Sequence, residues 1–347
     1  MERKGDKDCE SGEIRESSKK EISRRGHDMK YVIRKIFTLV VTLLLISVVT
    51  FAAFAVLPGD AAVVKGGLNA SEERIETIRE EMGLNDPLGQ RYVSWLSGAI
   101  HGDFGESLQY SGYSVSELIS ERLPYTLLLG IMSFILIIVI SIPLGITAAR
   151  QKNHIVNSVI NASTHISMAI PPFFMGMILT YVFGLILKWF SPGQYVSPVD
   201  DIAGAMTYMI FPAIAIAIPK IAMTARYLKG SILNQMQSGY VETERALGYS
   251  SNRIIYRHVL KNAILPVITF MALVITDILA GSIIVEQVFS IPGMGRLLVN
   301  AILNRDYPVV QATVLYITAL VIIINTLADI LYHIADPRIK LNKRRAA

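Results

Sequence analysis

Residue patterns that carry enzyme chemistry are absent from this sequence. The dipeptide Gly-Lys does not occur, so no P-loop of the form G-x-x-x-x-G-K-[ST] can cradle a nucleotide phosphate. No H-E-x-x-H or C-x-x-C spacing suggests a metal site, and no G-x-S-x-G turn offers a nucleophile. The six histidines are scattered, and for His165, in a long apolar stretch, a packed hydrogen-bonded ring is the simpler interpretation. We therefore expect no catalytic residue, no cofactor and no metal.

Two charged residues inside apolar stretches, Lys220 and Asp277, stand out instead. An uncompensated charge near the middle of a membrane helix costs roughly 2.5–3.5 kcal/mol on insertion scales. We predict that the two residues either pair with each other or line a water-filled cavity.

Four prolines interrupt the same kind of apolar stretch. Pro171 and Pro172 are adjacent, and Pro212 and Pro219 share the stretch that contains Lys220. Proline removes a helical hydrogen bond, and a lipid-embedded helix tolerates that loss only where other groups satisfy the backbone. These positions are therefore predicted either to face a cavity or hinge, or to be simple kinks for packing.

The composition indicates that these stretches lie in a membrane. Hydrophobic residues make up 52% of the 347 residues, and the mean hydropathy is +0.44, which is high for a soluble domain of this size. Six stretches reach the roughly 20 residues that a helix needs to cross a hydrocarbon core of about 30 Å. They run over 36–57, 123–149, 153–187, 202–225, 264–285 and 307–328. The sequence thus predicts an all-α integral membrane protein with six transmembrane helices.

The distribution of charge orients these helices. Segments 1–35, 150–154, 226–263 and 334–347 together hold 24 of the 33 lysines and arginines. The positive-inside rule therefore places these segments, and both termini, on the cytoplasmic side. The net charge of +5 belongs to membrane flanks, so we expect no nucleic-acid partner.

The spans divide the chain into segments with different expected roles. The N-terminal segment has many charges of both signs and few apolar side chains, so it is predicted to be disordered. In the outer segment, Asn69 or Ser71 can cap a short helix that Gly83 can close. The division is a cytoplasmic tail over 1–30, a first transmembrane helix over 31–57, an extracytoplasmic domain over 58–122, a transmembrane core over 123–336 with a cytoplasmic loop at 229–263, and a basic cytoplasmic tail over 337–347.

The long cytoplasmic loop has the pattern helix, glycine, helix. Tyr240 to Leu247 can form two helical turns, and Gly248 can adopt the left-handed conformation that ends a helix. A serine can then cap a second helix over 252–262, which has an apolar face and a basic face. A short helix at the membrane surface is suited to press into a groove of a partner and to pass rigid-body motion to the spans.

This loop resembles the EAA-type coupling loop of ABC importer permeases, whose core is Glu-Ala-Ala, three residues and a glycine. Here the core is Glu242-Thr243-Glu244, then Arg245-Ala246-Leu247, then Gly248. The chain departs from the family in having Glu244 in place of a small residue, Leu247 in place of lysine and Gly239 in place of aspartate. Four further stretches resemble the peptide and nickel branch of the family: LPGDAA at 57–62, GLNDPLGQRYVSWLSGAIHGDFGESL at 83–108, VEQVFSIPGMGRLL at 285–298 and RDYPVVQA at 305–312.

The resemblance covers about residues 30–340 and implies the fold and function of a first-permease, B-type subunit. It implies the type I ABC importer permease fold, with a small extracytoplasmic domain after helix 1, and a transport subunit without its own ATPase site. The expected solutes are di- or oligopeptides, carried across a bacterial or archaeal cytoplasmic membrane. The residues expected to couple transport to the ATPase are Tyr240, Val241, Glu242, Thr243, Glu244, Arg245, Ala246, Leu247 and Gly248.

The same resemblance implies several partners. They are a second homologous permease subunit, two ATP-binding-cassette ATPase subunits and an extracytoplasmic solute-binding protein, all assembled at a lipid bilayer. Ile291-Pro292-Gly293 is typical of a tight turn, and the resemblance implies that it helps to close the outer mouth; a plain connector is the alternative. The expected outer gate is Glu286, Pro292, Gly293 and Gly295, and Glu286 is predicted to pair with Arg296 or Arg305.

Alternatives remain for the solute and for the source of energy. The same machinery could carry nickel or another small ligand. If Lys220 lines a water-filled cavity, it could bind a peptide carboxylate. Pro171 and Pro172 would then also lie on the translocation pathway. An ion-coupled secondary transporter that uses Lys220 and Asp277 as a relay is the more distant alternative.

Overall fold

The structure is a computed structural model that describes residues 5–56, 61–67, 70–110, 112–197 and 201–335. It separates into two compact units, divided between Ile46 and Ser47, and each is described by itself. The predicted basic tail over 337–347 lies outside the described residues.

The first unit is helical from Gly5, whereas the composition of residues 1–30 predicted a disordered tail. Local sequence explains a helical backbone here. Glu, Lys and Arg are good helix formers, and the pairs Glu16 with Lys20 and Glu21 with Arg25 have the four-residue spacing that supports a helix. We keep disorder of this tail in solution as a prediction.

The described residues contain helices and one isolated β-bridge, between Glu106 and Ser114. Two turns, Thr180–Ile186 and Ile255–Val259, are π-helical. The α-helices are α1 (Gly5–Val56), α2 (Ala61–Gly66), α3 (Glu72–Glu81), α4 (Leu88–Ile100), α5 (Val115–Arg150), α6 (His154–Ala169), α7 (Pro172–Leu179), α8 (Ile202–Gln235), α9 (Gly239–Ala246), α10 (Ser251–Ile254), α11 (Leu260–Val288), α12 (Met294–Leu303) and α13 (Tyr307–Ala335).

Five helical segments in the described part of the chain are long and apolar enough to cross a membrane. The sixth predicted span is divided into His154–Ala169 and Pro172–Ile186, which meet at an angle of 98°. The two arms count as one span only if this bent pair crosses the bilayer together. The five continuous segments are Tyr31–Ala55, Val115–Arg150, Ile202–Gln235, Ser251–Val288 and Tyr307–Ile330.

Adjacent prolines cause the break in the sixth span. A residue before proline is disfavoured in the α region, and Ile170 and Pro171 both have extended backbones, with ψ of 119° and 144°. The apolar stretch over 153–187 is therefore bent at the adjacent prolines, which agrees with the hinge or kink predicted there. Pro212 and Pro219, by contrast, lie inside the continuous helix α8.

The continuous spans are longer than their apolar cores predicted. Helix α5 begins at Val115 rather than at 123, and α8 continues to Gln235 rather than ending at 225. The added segments, 115–122 of α5 and 226–235 of α8, contain polar residues. Ser114 caps α5 by accepting a hydrogen bond from the N–H of Glu117 at 3.1 Å. Hydropathy marks only the part of a helix that lipid requires to be apolar, so it underestimates helices that extend into water.

Helix α8 is the central span of the second unit. More than half of its most apolar window is buried, a larger share than in the other four candidate spans. Helices α5 and α11 pack on it, and the contact with α5 is closest at Gly145. A Cβ atom at Gly145 would lie 3.0 Å from both the carbonyl oxygen of Ala225 and the side chain of Leu228. Small residues that let helix backbones approach are typical of packing in membranes.

We predict that Gly145→Leu lowers the free energy of unfolding by about 1–3 kcal/mol, the usual effect of overpacking a filled core. The measurement is denaturant unfolding of the purified chain in detergent. Gly89→Leu is the matched control, because nothing lies within 4 Å of a Cβ atom at Gly89. Equal stability of the two variants would contradict the packing assigned to Gly145.

Candidate functional site

The loop between α8 and α11 contains the predicted short helix. Helix α9 covers Gly239–Ala246, after Ser238 in an extended conformation. Gly248 has a φ of +81°, and its N–H bonds to the carbonyl of Arg245 at 3.0 Å, while the N–H of Tyr249 bonds to the carbonyl of Glu244 at 3.1 Å. This conformation confirms the left-handed glycine predicted at the end of the helix.

Helix α9 is held to the two spans that it connects. Val241 is fully buried, in a cluster with Leu228 and Ile232 of α8 and with Ile254 and Val259 before α11. The other side of the helix is open to solvent. The exposed residues are Glu242, Thr243, Arg245, Ala246, Leu247 and Gly248, whereas Tyr240 is half-buried. The loop thus has one face anchored on the spans and one face free to contact a partner.

Glu244 adds a polar contact with His258 to this apolar anchor. Its Oε1 atom lies 2.9 Å from Nδ1 of His258, in the π-helical turn Ile255–Val259, and its side chain is only 14% exposed. The Oε2 atom is buried and has no hydrogen-bond partner in the described part of the chain. The residue that departs from the family pattern therefore links α9 directly to the beginning of the fifth span.

The second helix of the loop continues into that span. Ser250 precedes α10, and the chain is helical from Ser251 through Val288, so the prediction of a separate helix over 252–262 is wrong. Pro266 lies within α11. The hydroxyl of Ser231 donates to the carbonyl of Ala263 at 2.8 Å, which supplies a bond in the turn that the proline disturbs.

At the other end of α11, Glu286 caps the N-terminus of α12. Its side chain is fully buried. The Oε2 atom accepts hydrogen bonds from the N–H groups of Gly295 at 2.7 Å and Arg296 at 3.2 Å. The Oε1 atom accepts one from the hydroxyl of Thr126 at 2.7 Å, and the same hydroxyl oxygen accepts from the N–H of Met294 at 2.8 Å. A carboxylate at a helix N-terminus satisfies unpaired N–H groups and favours the helix dipole.

Gly293 and Gly295 lie beside Glu286, and only glycine fits at these positions because neighbouring atoms occupy the space of a Cβ atom. A Cβ atom at Gly293 would overlap the carboxylate of Glu286, and one at Gly295 would overlap the backbone of Ile283. Pro292 lies in the connecting turn, where the N–H of Ile291 bonds to the carbonyl of Glu286 at 2.9 Å. The structure therefore brings together the residues predicted as an outer gate.

The predicted pairing of Glu286 with Arg296 or Arg305 is wrong. Arg296 contributes its backbone N–H, while its guanidinium donates to the carbonyl of Ser290 at 2.6 Å. The buried carboxylate has room for compact N–H and O–H donors only, because the helix N-terminus lies directly against it.

A second buried carboxylate, Asp306, was not among the predicted site residues. It is fully buried and accepts hydrogen bonds from the N–H groups of Leu108 at 3.1 Å and Gln109 at 3.2 Å, and from the hydroxyl of Ser107. It therefore joins the loop before α5 to the turn between α12 and α13. Both stretches resemble the peptide branch of the family, but the order of residues in the sequence does not indicate that the two stretches are in contact.

The structure brings Lys220 and Asp277 together. The Nζ atom of Lys220 lies 2.5 Å from Oδ2 of Asp277, and the pair connects α8 to α11. The Lys220 side chain is 17% exposed and that of Asp277 is 52% exposed. Lys220 is thus engaged with its carboxylate, and the anionic partner keeps an open side.

The remaining predicted positions are the two prolines of the break between α6 and α7, and His165. Pro172 packs beside α11, with its Cγ atom 3.9 Å from a Cβ atom built on Gly281, and Pro171 precedes it in the break. His165 is exposed. Within the described ranges, no group of three or more His, Cys, Asp or Glu side chains could hold a metal ion.

Comparison with known proteins defines the class. Residues 141–341 match the family described as "Binding-protein-dependent transport system inner membrane component". Residues 28–130 match the N-terminal model of such components. The chain belongs to this family of transport-system membrane components.

Individual relatives cover nearly the whole chain. The oligopeptide transport system permease protein AppB of Bacillus subtilis is 38% identical over 312 residues, which are 89% of this chain and 99% of AppB. The probable peptide ABC transporter permease protein y4tP of Sinorhizobium fredii is 34% identical over 310 residues, with coverage of 89% and 99%.

A solved structure supports the fold. A chain of the MetNI methionine ABC transporter, in an inward-facing conformation, superposes with a TM-score of 0.52 at 17% identity. The match covers 63% of this chain and 96% of that chain. The all-α fold of ABC importer permeases is therefore confirmed.

We predict that Thr126→Val lowers the free energy of unfolding by about 2–6 kcal/mol. The change leaves the carboxylate of Glu286 and the N–H of Met294 each without one buried bond, at about 1–3 kcal/mol per group. Unfolding in detergent provides the measurement. Thr318→Val is the control, because that hydroxyl bonds only to the carbonyl of Val314 in its own helix. A Thr126 variant as stable as the control would refute the capping role.

For the pair in the membrane, we predict that Lys220→Met and Asp277→Leu each lower transport, because each leaves one unneutralised charge at membrane depth. The double variant should recover part of the loss, since it removes both charges. Uptake into vesicles at equal protein levels is the measurement. A double variant no better than the worse single variant would exclude the pairing.

Proposed function

We propose that this chain is a permease subunit of an ABC importer that carries di- or oligopeptides across the cytoplasmic membrane. The observation that carries the proposal is the near full-length similarity to AppB and y4tP, which are named as peptide permeases. Nickel is not favoured, since the relatives cited are named for peptides. An ion-coupled secondary transporter is not favoured either, because the family is one of binding-protein-dependent transport systems.

Energy for transport would come from two separate ATPase subunits. The chain lacks the Gly-Lys dipeptide of a P-loop. The exposed face of α9, in the loop that connects α8 to α11, offers a contact surface to the ATPase subunits. Closure of the ATPase pair on ATP would move α9. The buried Val241 and the pair of Glu244 with His258 would pass that movement to α8 and α11, because packed elements move as rigid bodies.

Other partners follow from the same proposal. A second homologous permease subunit would complete the pathway, and an extracytoplasmic solute-binding protein would deliver peptide to the outer side. The excess of lysine and arginine in the segments predicted as cytoplasmic supports an orientation with both termini inside. In this orientation α9 faces the cytoplasm, and α2 to α4 with α12 face the outer side.

The test is peptide uptake into vesicles that contain the complete transporter. We predict ATP-dependent uptake in the wild type, and reduced uptake per ATP hydrolysed in Glu244→Ala. The reason is that the loop helix would lose the contact of Glu244 with His258 at the beginning of the fifth span, while Val241 keeps the helix in place. The measurement is the ratio of peptide transported to phosphate released.

Two comparisons make this test specific. Glu244→Gln keeps a hydrogen-bond acceptor opposite His258 and should recover part of the coupling. Adding His258→Ala to Glu244→Ala should cause little further loss, because the pair is already broken. Uptake that proceeds without any ATPase subunit would overturn the proposed function. An unchanged ratio in Glu244→Ala would overturn only the role of the contact between Glu244 and His258.

A further inference from the structure

The second unit contains a cleft beside Arg226 of α8. It has a volume of about 510 Å³ and lies between α6, α8 and α11. This volume is within the range of small-ligand sites, roughly 300–1,000 Å³. Its lining includes Met168 of α6, Met223, Arg226 and Tyr227 of α8, and Phe270 of α11.

The cleft lies on the same faces of α8 and α11 as the charged pair of Lys220 and Asp277. Lys220 precedes Tyr227 by seven residues, and Asp277 follows Phe270 by seven residues. Seven residues are almost two helical turns, or about 10 Å along the axis. The pair of Lys220 and Asp277 therefore lies on the same two faces as the cleft, farther from the cytoplasmic ends of α8 and α11.

Of the three cations in this part of α8, Arg226 has its donors free. Lys220 is bound to Asp277 at 2.5 Å. Lys229 donates to Oδ1 of Asn157 at 2.6 Å and of Asn161 at 3.0 Å. Arg226 is exposed, and no described residue forms a hydrogen bond or ion pair with its guanidinium. A guanidinium in this state can bind a planar anion through two parallel hydrogen bonds.

The walls around Arg226 are suited to a ligand with variable apolar groups. The rings of Tyr227 and Phe270 stack with centroids 4.6 Å apart and planes 16° apart, which gives a rigid aromatic wall. Met168 and Met223 lie in the same lining, and flexible thioether side chains adapt to different shapes. One fixed cation beside adaptable apolar walls favours a ligand that has a constant carboxylate and varying side chains.

We propose that Arg226 binds the free C-terminal carboxylate of the transported peptide in this cleft. The inference rests on the proposed function, because it takes the solute to be a peptide. It assigns carboxylate recognition to Arg226 rather than to Lys220, whose ammonium is already occupied by Asp277. The pair of Lys220 and Asp277 then bounds the contact site toward the middle of the membrane.

The test compares an alanine tripeptide with its C-terminal amide. Both are supplied at saturating concentration, with the same binding protein, to vesicles that contain the complete transporter. In Arg226→Met, uptake of the free acid relative to the amide should fall about tenfold, in keeping with the loss of a charge-assisted hydrogen bond. Arg226→Lys should give an intermediate ratio, because a lysine keeps the charge but not the two parallel bonds.

The ratio between the two peptides separates recognition from folding, since both are measured with the same variant. Lys229→Met is the matched control on the same helix and should leave the ratio unchanged. If Arg226→Met slows both peptides equally, or neither, the carboxylate contact is overturned. If the unmodified transporter takes up neither peptide with ATP, the proposed function is overturned as well.

Discussion

The second unit depends on one electrostatic constraint: a charge removed from water needs a partner within the protein. Glu286 meets this constraint with three hydrogen bonds from α5 and α12, and Asp306 with three from residues 107–109. Lys220 and Asp277 meet it with each other. Each solution connects elements that are distant in the sequence, so the buried charges also determine which parts of the chain are held together.

These connections lie in two regions of the unit. In one region, Glu286 and Asp306 bind the ends of α11 and α12 to α5 and to the loop before it. In the other, Val241 and Glu244 attach the loop helix to α8 and to the beginning of the fifth span. Helices α8 and α11 run between the two regions. The loop helix α9 is therefore connected through packed helices to the region of Glu286 and Asp306, as the coupling proposed above requires.

Much of the fold followed from periodicity, hydropathy and turn chemistry. The left-handed Gly248, the cap by Ser71 on α3 and the apolar cores of five of the six predicted spans agree with the structure. The exceptions have local physical causes. The two prolines at 171 and 172 turn one predicted span into arms at 98°, and polar extensions lengthen α5 and α8 beyond what hydropathy detects.

The sequence by itself determined the class of this protein, the membrane spans and the loop with a coupling-type pattern, because apolar length, charge distribution and local turn residues are properties of short segments. Only the tertiary structure decided the partners of the charged groups: Glu286 with backbone N–H groups instead of an arginine, Asp306 with residues about 200 positions earlier, and Glu244 with His258. It also left Arg226, rather than Lys220, with its donors free beside a cleft. Such pairings depend on distances between segments that are remote in the chain, and residue order alone does not contain those distances.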